Sequence, residues 1–495
     1  MIKQETSITK MPTLIPKAVF GIRTDVYQNV NFFFSDKLAY LAGNYIVICS
    51  MKEKTKEKTQ YFIPANPELG EITAFSVDEH KDYIWLVIAQ KGTTGEKPII
   101  TLKFLNKVDY AHEDQKSKRI SIEDMDHAEY FLSLGVNISK GIIVALLGPK
   151  IQAVAIFQHD KNVTKAHSVT KISNNAIRYK MLNINYENPN FISVIGDGAY
   201  AILMLNENDK KAYPSKIETE PKNTQEFMNL VFNFVASCWV GKTRLVCLNA
   251  ACDVIIADYV SKKLEKPMMR VIKGTTIFEG QSRGKGIFNR NNTLHITRED
   301  GFIVKYQDKM SDKGVQYEKV IGSMKFVGNI PKMDIHYVSL SNTGNELAIS
   351  TENGQLYYID LTSETALSDG NNYKPFLSLF HSEDITCLDV AKLKPLIATG
   401  SRDRFIRIWN YFNIQLENSE LFDDDPTFIS FHPNGLHLAV LFKEKLKLMH
   451  ILEKKILPYR EFNLNNPCDV FIFHLSFSRL NFQTLVIIFQ FYQGI

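Results

Sequence analysis

One segment of the sequence has the spacing of a phosphate-binding loop. Residues 236–243 read Ala-Ser-Cys-Trp-Val-Gly-Lys-Thr, and the last three stand where such a loop would meet a helix. That chemistry needs backbone N–H groups around the phosphates and a helix that begins at the Lys-Thr pair. Here the run 244–248 that follows is strand-like and stops at Asn249. We therefore predict a hairpin turn at 241–243 inside a β-sheet, and no nucleotide site.

A second segment matches part of a dinucleotide-binding fingerprint. Residues 284–286 read Gly-Lys-Gly, but Asn289 stands at the place of the third glycine and no helical pattern follows. The fingerprint needs all three glycines at a strand-to-helix turn. We predict instead a flexible loop before a strand that begins at Ile287.

The residue types that carry most enzyme chemistry are not arranged for it. None of the 12 histidines stands in an H-E-x-x-H motif, none of the six cysteines forms a C-x-x-C pair, and no G-x-S-x-G elbow occurs. The scattered cysteines indicate reduced thiols rather than a zinc site or a disulfide framework. We predict no catalytic, cofactor-binding or metal-ligating residue, and no enzyme activity.

The elements around these motifs repeat along the chain. An apolar strand of about five residues, a polar turn and a second apolar strand recur at roughly 50-residue spacing, slightly above the ~40–45 residues of a WD repeat. The clearest copies are 385–410, 337–360 and 427–451, and earlier copies end near residues 49, 104, 157, 205, 258 and 306. No long apolar face with a 3.6-residue period occurs. This pattern predicts an all-β fold, a β-propeller of seven or eight blades.

Polar insertions account for the surplus length of the repeats. We expect them to be exposed loops between strands or blades. They are residues 52–60, 106–128, 206–225, 261–273 and 362–373.

The segment 381–410 resembles one blade of the WD-repeat family. In that family a His, a Ser or Thr, an Asp and a Trp form a hydrogen-bonded chain across a blade, and the matching residues here are His381, Thr399, Asp403 and Trp409. The resemblance implies a structural role for these four. Their chemistry agrees, because a buried carboxylate needs donors and a buried indole N–H needs an acceptor. A catalytic His–Asp pair is the alternative, and the other repeats lack the full set.

The order of several segments resembles the N-terminal part of the cilia- and flagella-associated protein 57 family. The resemblance runs from about Phe20 to about Phe462 and implies a non-enzymatic axonemal scaffold with tandem propellers. The implied role is to help assemble or regulate inner-arm dyneins on doublet microtubules. The implied partners are inner-arm dynein components and doublet tubulin, and the implied location is the axoneme of a cilium or flagellum. The matching segments are 20–23, 40–44, 62–64, 72–74, 97–100, 394–399 and 446–449.

Two other functions stay open at this point. One is a general cytoplasmic WD-repeat adaptor for a multiprotein complex, and the other is a nucleotide-binding or hydrolytic propeller enzyme. The net charge of +4, from 58 basic and 54 acidic residues, is too balanced to indicate nucleic acid. The run 52–58 alternates Lys with Glu and Thr, which favours a solvated hairpin loop over contact with acidic tubulin tails. The sequence does not set the oligomeric state.

We predict four segments: an N-terminal extension at 1–16, a first propeller at 17–412, the start of a second, incomplete propeller or an extra blade at 413–466, and an apolar tail at 467–495. The extension has no apolar core of a secretory signal. Three interpretations of the tail at 467–495 stay open: strands at the edge of a ring, sequence from an imperfect gene model or alternative transcript, or a membrane span. Arg479, Asn481 and Gln483 interrupt it, which disfavours the span and predicts no membrane contact.

Overall fold

A computed structural model gives the fold of the chain. All its regular structure is β-strand: no helix occurs among the residues described, and so none that could cross a membrane. The structure describes residues 16–33, 37–50, 60–79, 83–93, 96–107, 110, 117–121, 129–149, 152–158, 166–172, 178–197, 199–206, 212–214, 218–219, 233–258, 268–272, 283–290, 293–299, 302–311, 314–319, 324–325, 334–362, 374–376, 379–453, 455–464, 470–478 and 481–489.

The strands form ten sheets in chain order, which we name blades 1 to 7 and sheets 8 to 10. In each, consecutive strands pair antiparallel, apart from the short strands β17 and β26, which pair with β21 and β24. Blades 1 to 7 consist of β1 (Val30–Phe33), β2 (Lys37–Ala42), β3 (Tyr45–Ser50) and β4 (Gln60–Pro64); β5 (Ile72–Glu79), β6 (Tyr83–Gln90), β7 (Ile99–Asn106) and β8 (Lys118–Ser121); β9 (Tyr130–Asn137), β10 (Ile142–Gly148), β11 (Ala153–Gln158) and β12 (Ser168–Lys171); β13 (Arg178–Ile184), β14 (Phe191–Asp197), β15 (Ala199–Leu205) and β16 (Ala212–Pro214); β17 (Glu218–Thr219), β18 (Phe234–Val240), β19 (Arg244–Asn249), β20 (Val254–Asp258) and β21 (Met268–Ile272); β22 (Gly284–Arg290), β23 (Thr293–Arg298), β24 (Phe302–Ser311), β25 (Gly314–Lys319) and β26 (Met324–Lys325); and β27 (Ile335–Leu340), β28 (Glu346–Thr351), β29 (Leu356–Asp360) and β30 (Lys374–Pro375). Sheets 8 to 10 consist of β31 (Ile385–Val390), β32 (Leu396–Ser401), β33 (Phe405–Asn410) and β34 (Gln415–Leu421); β35 (Phe428–Phe431), β36 (His437–Leu441), β37 (Lys445–Ile451) and β38 (Ile456–Asn463); and β39 (Val470–Ser478) and β40 (Asn481–Phe489).

The first seven sheets close into a ring. Their inner strands β1, β5, β9, β13, β18, β22 and β27 contact one another in succession, and β27 returns to β1. One apolar cluster fills each of the seven junctions between neighbouring blades. Blades 7 and 1 meet through Tyr40, Phe376 and Phe380, each almost fully buried. The molecule is therefore an all-β propeller with seven blades in its ring.

Stacking between neighbours explains why the middle strands are continuously apolar. All seven residues of β10 are buried, because blade 2 covers one face of blade 3 and blade 4 covers the other. Each buried aliphatic or aromatic side chain there stabilises the ring by about 1.5–3 kcal/mol. Tight turns join these strands, and the turn between β18 and β19 uses Gly241 at φ +64°, a conformation that glycine adopts without strain.

Sheets 8 to 10 continue the same stacking outside the ring. β31 contacts β35, β35 contacts β39, and an apolar cluster fills the junction between sheets 8 and 9. The segment boundaries 17–412 and 413–466 stay a prediction. The contacts favour a boundary between β30 and β31 instead, because the ring closes with blade 7 while sheet 8 packs against sheet 9.

The outer strands of several blades lie in segments that were predicted to be loops. β8, β16 and β21 fall inside 106–128, 206–225 and 261–273, so that prediction was wrong for these residues. An outer strand packs on one side only and borders solvent, so its sequence lacks the apolar run of a middle strand. The insertion 52–60 lies outside the described residues except Gln60, which begins β4.

The predicted apolar tail contains a hairpin. β39 pairs with β40 from Val470 opposite Phe489 to Ser478 opposite Asn481, and β39 contacts β35 of sheet 9. The extension 1–16 lies outside the described residues except Pro16.

Candidate functional site

Sheet 8 brings the four residues of the predicted hydrogen-bonded chain together. The indole Nε1 of Trp409 donates to Thr399 Oγ1 at 2.8 Å, and Thr399 Oγ1 lies 2.8 Å from His381 Nε2. His381 Nδ1 lies 3.0 Å and 3.1 Å from the carboxylate oxygens of Asp403. β32 carries Thr399 and β33 carries Trp409, while Asp403 lies in the turn between these strands.

The proton arrangement in this chain follows from its ends. Trp409 can only donate and ionised Asp403 can only accept. The hydroxyl of Thr399 accepts from Trp409. With Thr399 donating in turn to His381 Nε2, the imidazole donates from Nδ1 to Asp403, and Arg407 Nη1 lies 2.5 Å from the same Nδ1. In this assignment both ring nitrogens of His381 are engaged, so neither is available to act as a general base on another molecule.

Asp403 is the charged centre of the chain, and its carboxylate is almost fully buried. Burial opposes its ionisation, but hydrogen bonds from His381 and Arg407 outweigh that and hold the pKa of this carboxyl well below its usual range. Arg407 Nη1 donates to it at 2.9 Å, and the backbone N–H groups of Ser382 and Phe405 donate at 3.1 Å and 3.0 Å. The carboxylate is thus fully satisfied within the sheet.

Sequence reasoning did not find Arg407. Its side chain is 5% exposed, against 4% for Asp403, so the two form a buried ion pair. The available signal was an arginine at the centre of an otherwise apolar strand, since such a charge is rarely buried without a partner. The structural role predicted for the other four residues of this group stays a prediction.

The segment 236–243, which has the spacing of a phosphate-binding loop, is a hairpin, as predicted. β18 ends at Val240 and β19 begins at Arg244, paired from Val240 opposite Arg244 to Phe234 opposite Asn249. No helix begins at the Lys-Thr pair in this described part of the chain. The backbone of residues 236–240, which would have to curve around a phosphate, is therefore paired in the sheet.

The Gly-Lys-Gly segment is a strand rather than the predicted loop. β22 begins at Gly284, and an added Cβ at Gly286 would lie 2.7 Å from Thr297 Oγ1 and 3.0 Å from Val338 Cγ2. The prediction was wrong because the glycine there serves close packing between blades 6 and 7, not turn formation.

The axial channel of the ring holds a polar group that sequence reasoning also missed. Gln28, in the segment before β1, accepts from Ser133 Oγ at 2.7 Å and donates from Nε2 to Leu182 O and Asn183 Oδ1 at 3.3 Å. Asn183 in turn donates to Ser237 Oγ at 3.0 Å. One side chain from the N-terminal segment thereby joins blades 3 and 4 across the channel.

Two further contacts anchor this segment on the far side of the ring. The hydroxyl of Tyr27 donates to the carbonyl of Val235 in blade 5, and the imidazole Nε2 of His336 in blade 7 lies 3.0 Å from Val26 O. Residues 26–28, which we call the axial plug, therefore contact blades 3, 4, 5 and 7. Isolated polar residues in apolar inner strands, such as Ser133 and Asn183, were the available signal.

A cavity of about 330 Å³ lies in the channel, lined by Tyr27 and Gln28 of the axial plug and by residues of all seven inner strands. Its charged lining residues are Glu187 and Lys285, and Lys285 pairs with Glu352 at 2.6 Å. Burial raises the pKa of the Cys238 thiol to about 12, so it stays protonated at neutral pH and is a poor nucleophile.

Metal-binding chemistry has no support in the described part of the chain. No group of three or more His, Cys, Asp or Glu residues there could hold a metal ion. The cysteines in the described ranges form no disulfide.

Comparison with known proteins supports the fold and points to relatives. The model of the WD domain, G-beta repeat family matches residues 374–410, the part that contains the hydrogen-bonded chain. Cilia- and flagella-associated protein 57 A of Tetrahymena thermophila is 28% identical over 74% of this chain. Cilia- and flagella-associated protein 57 of Mus musculus is 24% identical over 92% of it.

The chain carries a WD40 repeat and is homologous to cilia- and flagella-associated protein 57 across most of its length. It spans 28% of the first of these relatives and 38% of the second. Similar solved structures include Sqt1 of Chaetomium thermophilum, at 10% identity over 75% of this chain and 93% of that one, with a TM-score of 0.40. The β-propeller domain of Cps50 (Swd1) of Myceliophteria thermophila is 12% identical over 77% of this chain and 94% of that one, also with a TM-score of 0.40.

Proposed function

We propose that this chain is a non-enzymatic scaffold of the ciliary axoneme, which holds other proteins on its propeller. Its finer role would be to help assemble or regulate inner-arm dyneins on doublet microtubules. A closed ring suits such a role because its blades are held on both faces and its rims present fixed loops to partners.

One observation carries the proposal. The matches to relatives named for cilia and flagella cover 74% and 92% of this chain, far more than the WD repeat at 374–410 alone. A match confined to the WD repeat would apply to many unrelated adaptors, because WD propellers serve unrelated functions.

Localisation tests the ciliary part. The chain, tagged and expressed at native level in ciliated cells, should remain with axonemes after detergent removes the membrane. An even distribution through the cell body, with none on axonemes, would refute the proposal.

Purification from axonemes tests the finer part. Salt extraction followed by affinity capture should recover inner-arm dynein subunits or doublet tubulin with the tagged chain. Recovery of trafficking, ubiquitin-ligase or RNA-processing complexes instead would favour a general cytoplasmic adaptor, the second candidate, which the WD repeat at 374–410 would serve equally well.

The enzyme alternative has a separate test. ATP or GTP would raise the melting temperature of a nucleotide-binding propeller, because a ligand that binds only the folded state stabilises it. We expect no shift, and a shift of several degrees would revive this alternative.

A further inference from the structure

Exposed apolar side chains are concentrated in sheets 8 and 9. Among the described residues, 15 large hydrophobic side chains are exposed, and 12 of them lie between Ile385 and Phe462. The seven-bladed ring contributes only Tyr83 and Tyr186 to this group. Exposed apolar residues that cluster in this way mark interaction sites, whereas scattered ones are ordinary.

Half of these 12 side chains lie at one end of the two sheets. The turns β31–β32 and β33–β34 are at the same end of sheet 8, and the turns β35–β36 and β37–β38 are at the corresponding end of sheet 9. Leu393 is 76% exposed and Phe412 is 74% exposed in the two turns of sheet 8. We call this end the apolar rim, and its exposed apolar residues are Leu393, Tyr411, Phe412, Leu436, Leu452 and Leu457.

The four turns of the apolar rim are linked to one another. Tyr411 N donates to Pro395 O at 3.0 Å, and Ile451 N donates to Leu436 O at 2.8 Å. The two sheets are joined by the Asn418 side chain, which donates to Leu452 O at 2.9 Å. The rim is therefore one continuous, preorganised surface rather than four independent loops, which lowers the entropy cost of binding.

The charge of the rim indicates what it would bind. Lys392, Lys394 and Lys455 lie in its turns, opposed by Glu453 alone among the described turn residues. Cationic and apolar groups on one surface complement a ligand that carries carboxylates beside apolar anchors.

We propose that the apolar rim docks an acidic segment of a partner protein, one that inserts aliphatic or aromatic side chains between the turns. This deepens the proposed scaffold function and rests on it, since it names a surface and a partner chemistry for that role. An anionic bilayer fits less well. Attraction to such a surface depends on lysines that reach it, and the stem of Lys394 lies against Gly435 rather than extending from the rim.

A binding assay tests the proposal on the full chain. The probe is a labelled amphipathic peptide of about 18 residues, five helical turns, with Leu and Phe on one face and Glu on the other. A second peptide keeps the apolar face and replaces Glu with Lys. Fluorescence anisotropy should show saturable binding of the Glu peptide, weakened by salt, and binding of the Lys peptide weaker by about tenfold or more.

Variants locate the binding surface. Leu393→Ser with Phe412→Ser should weaken binding of the Glu peptide by about tenfold or more, because exposed aromatic and aliphatic anchors dominate such interfaces. Leu388→Ser is the matched control, since Leu388 is 58% exposed on the inner strand β31 and outside the rim turns. It should leave binding unchanged.

Three outcomes would overturn the proposal: equal binding of the two peptides, equal loss with the control variant, or binding to phosphatidylserine vesicles that exceeds binding to the Glu peptide. The result is separable from the proposed function. If the chain is found on axonemes but the rim fails these tests, only the docking surface is refuted.

Discussion

The phenyl ring of Phe20 packs against the indole of Trp409, with ring centroids 4.4 Å apart and planes inclined by 33°. Phe20 also packs against the apolar cluster that joins blades 7 and 1. The N-terminal segment therefore contacts both the closing junction of the ring and the hydrogen-bonded chain of sheet 8. Most of the described sequence lies between these two aromatic residues.

This contact predicts coupling between Phe20 and Trp409. A double-mutant cycle with Phe20→Leu and Trp409→Leu measures this coupling. The two losses of unfolding free energy should be non-additive by about 0.5–1.5 kcal/mol, which is the usual interaction energy of an aromatic pair. Urea unfolding followed by circular dichroism measures all four proteins. Additive losses would mean that the N-terminal segment and sheet 8 are energetically independent.

The buried ion pair predicts an asymmetric response to substitution. Asp403→Ala leaves Arg407 charged and buried without its carboxylate, and should lower the free energy of unfolding by about 3–5 kcal/mol. Asp403→Ala combined with Arg407→Met removes the stranded charge and should recover part of that loss. Thermal unfolding of the two variants measures the difference. If the double variant is less stable than Asp403→Ala, the charge of Arg407 is not the cause.

The four residues of the hydrogen-bonded chain could be named because the segment 381–410 resembles one blade of the WD-repeat family. Arg407 was missed: an arginine inside an apolar strand is a visible signal, but its partner is identified only when β33 is placed beside the turn that holds Asp403. The propeller itself was predictable from the apolar middle strands. Its outer strands were not, because an edge strand such as β8 has the polar composition of a loop.

Two features of the structure, the closure of the ring at blade 7 and the contacts of the axial plug, depend on residues far apart in the sequence. The local residue pattern therefore does not predict them. Nothing in the pattern distinguishes β30 as the end of the ring, since sheet 8 repeats the same strands and turns. In the sequence alone, nothing distinguishes Gln28 from an ordinary polar residue before a strand. Only its bonds to Ser133 and Leu182, more than 100 positions away, identify it as part of the channel.

His295 predicts a pH dependence of stability. It is 2% exposed in β23, its ring stacks on Phe288 with centroids 4.9 Å apart, and its Nδ1 lies 3.1 Å from Thr293 O. Burial, together with the positive charge of Lys305, lowers its pKa to about 4. Since the unfolded state binds the proton near pH 6.5, stability is fully present above that pH and is lost as pH falls toward 4.

The full loss from His295 would be about 3 kcal/mol, at roughly 1.4 kcal/mol for each pKa unit. His295→Phe removes the titrating group, so the fall in stability between pH 6.5 and 4 should be smaller in this variant than in the parent chain. His167→Phe is the control, since His167 is exposed and its replacement should leave the slope unchanged. Urea unfolding across this pH range measures the slopes. Identical slopes for His295→Phe and the parent chain would contradict the prediction.

The axial plug predicts that one glutamine stabilises blades to which it is not adjacent in sequence. Gln28→Leu keeps the size of the side chain but removes its bonds to Ser133 in blade 3 and to Leu182 in blade 4. Polar groups left unpaired in the channel should cost about 1–3 kcal/mol of unfolding free energy. Amide hydrogen exchange should become faster in β9 and β13, because the lost bonds act on those strands and not on β1.

Gln415→Leu, at an exposed position of β34, is the control and should change stability by about 0.5 kcal/mol or less. Faster exchange confined to blade 1 would mean that the plug merely caps its own blade, and the bonds across the channel would then contribute nothing to holding the ring together.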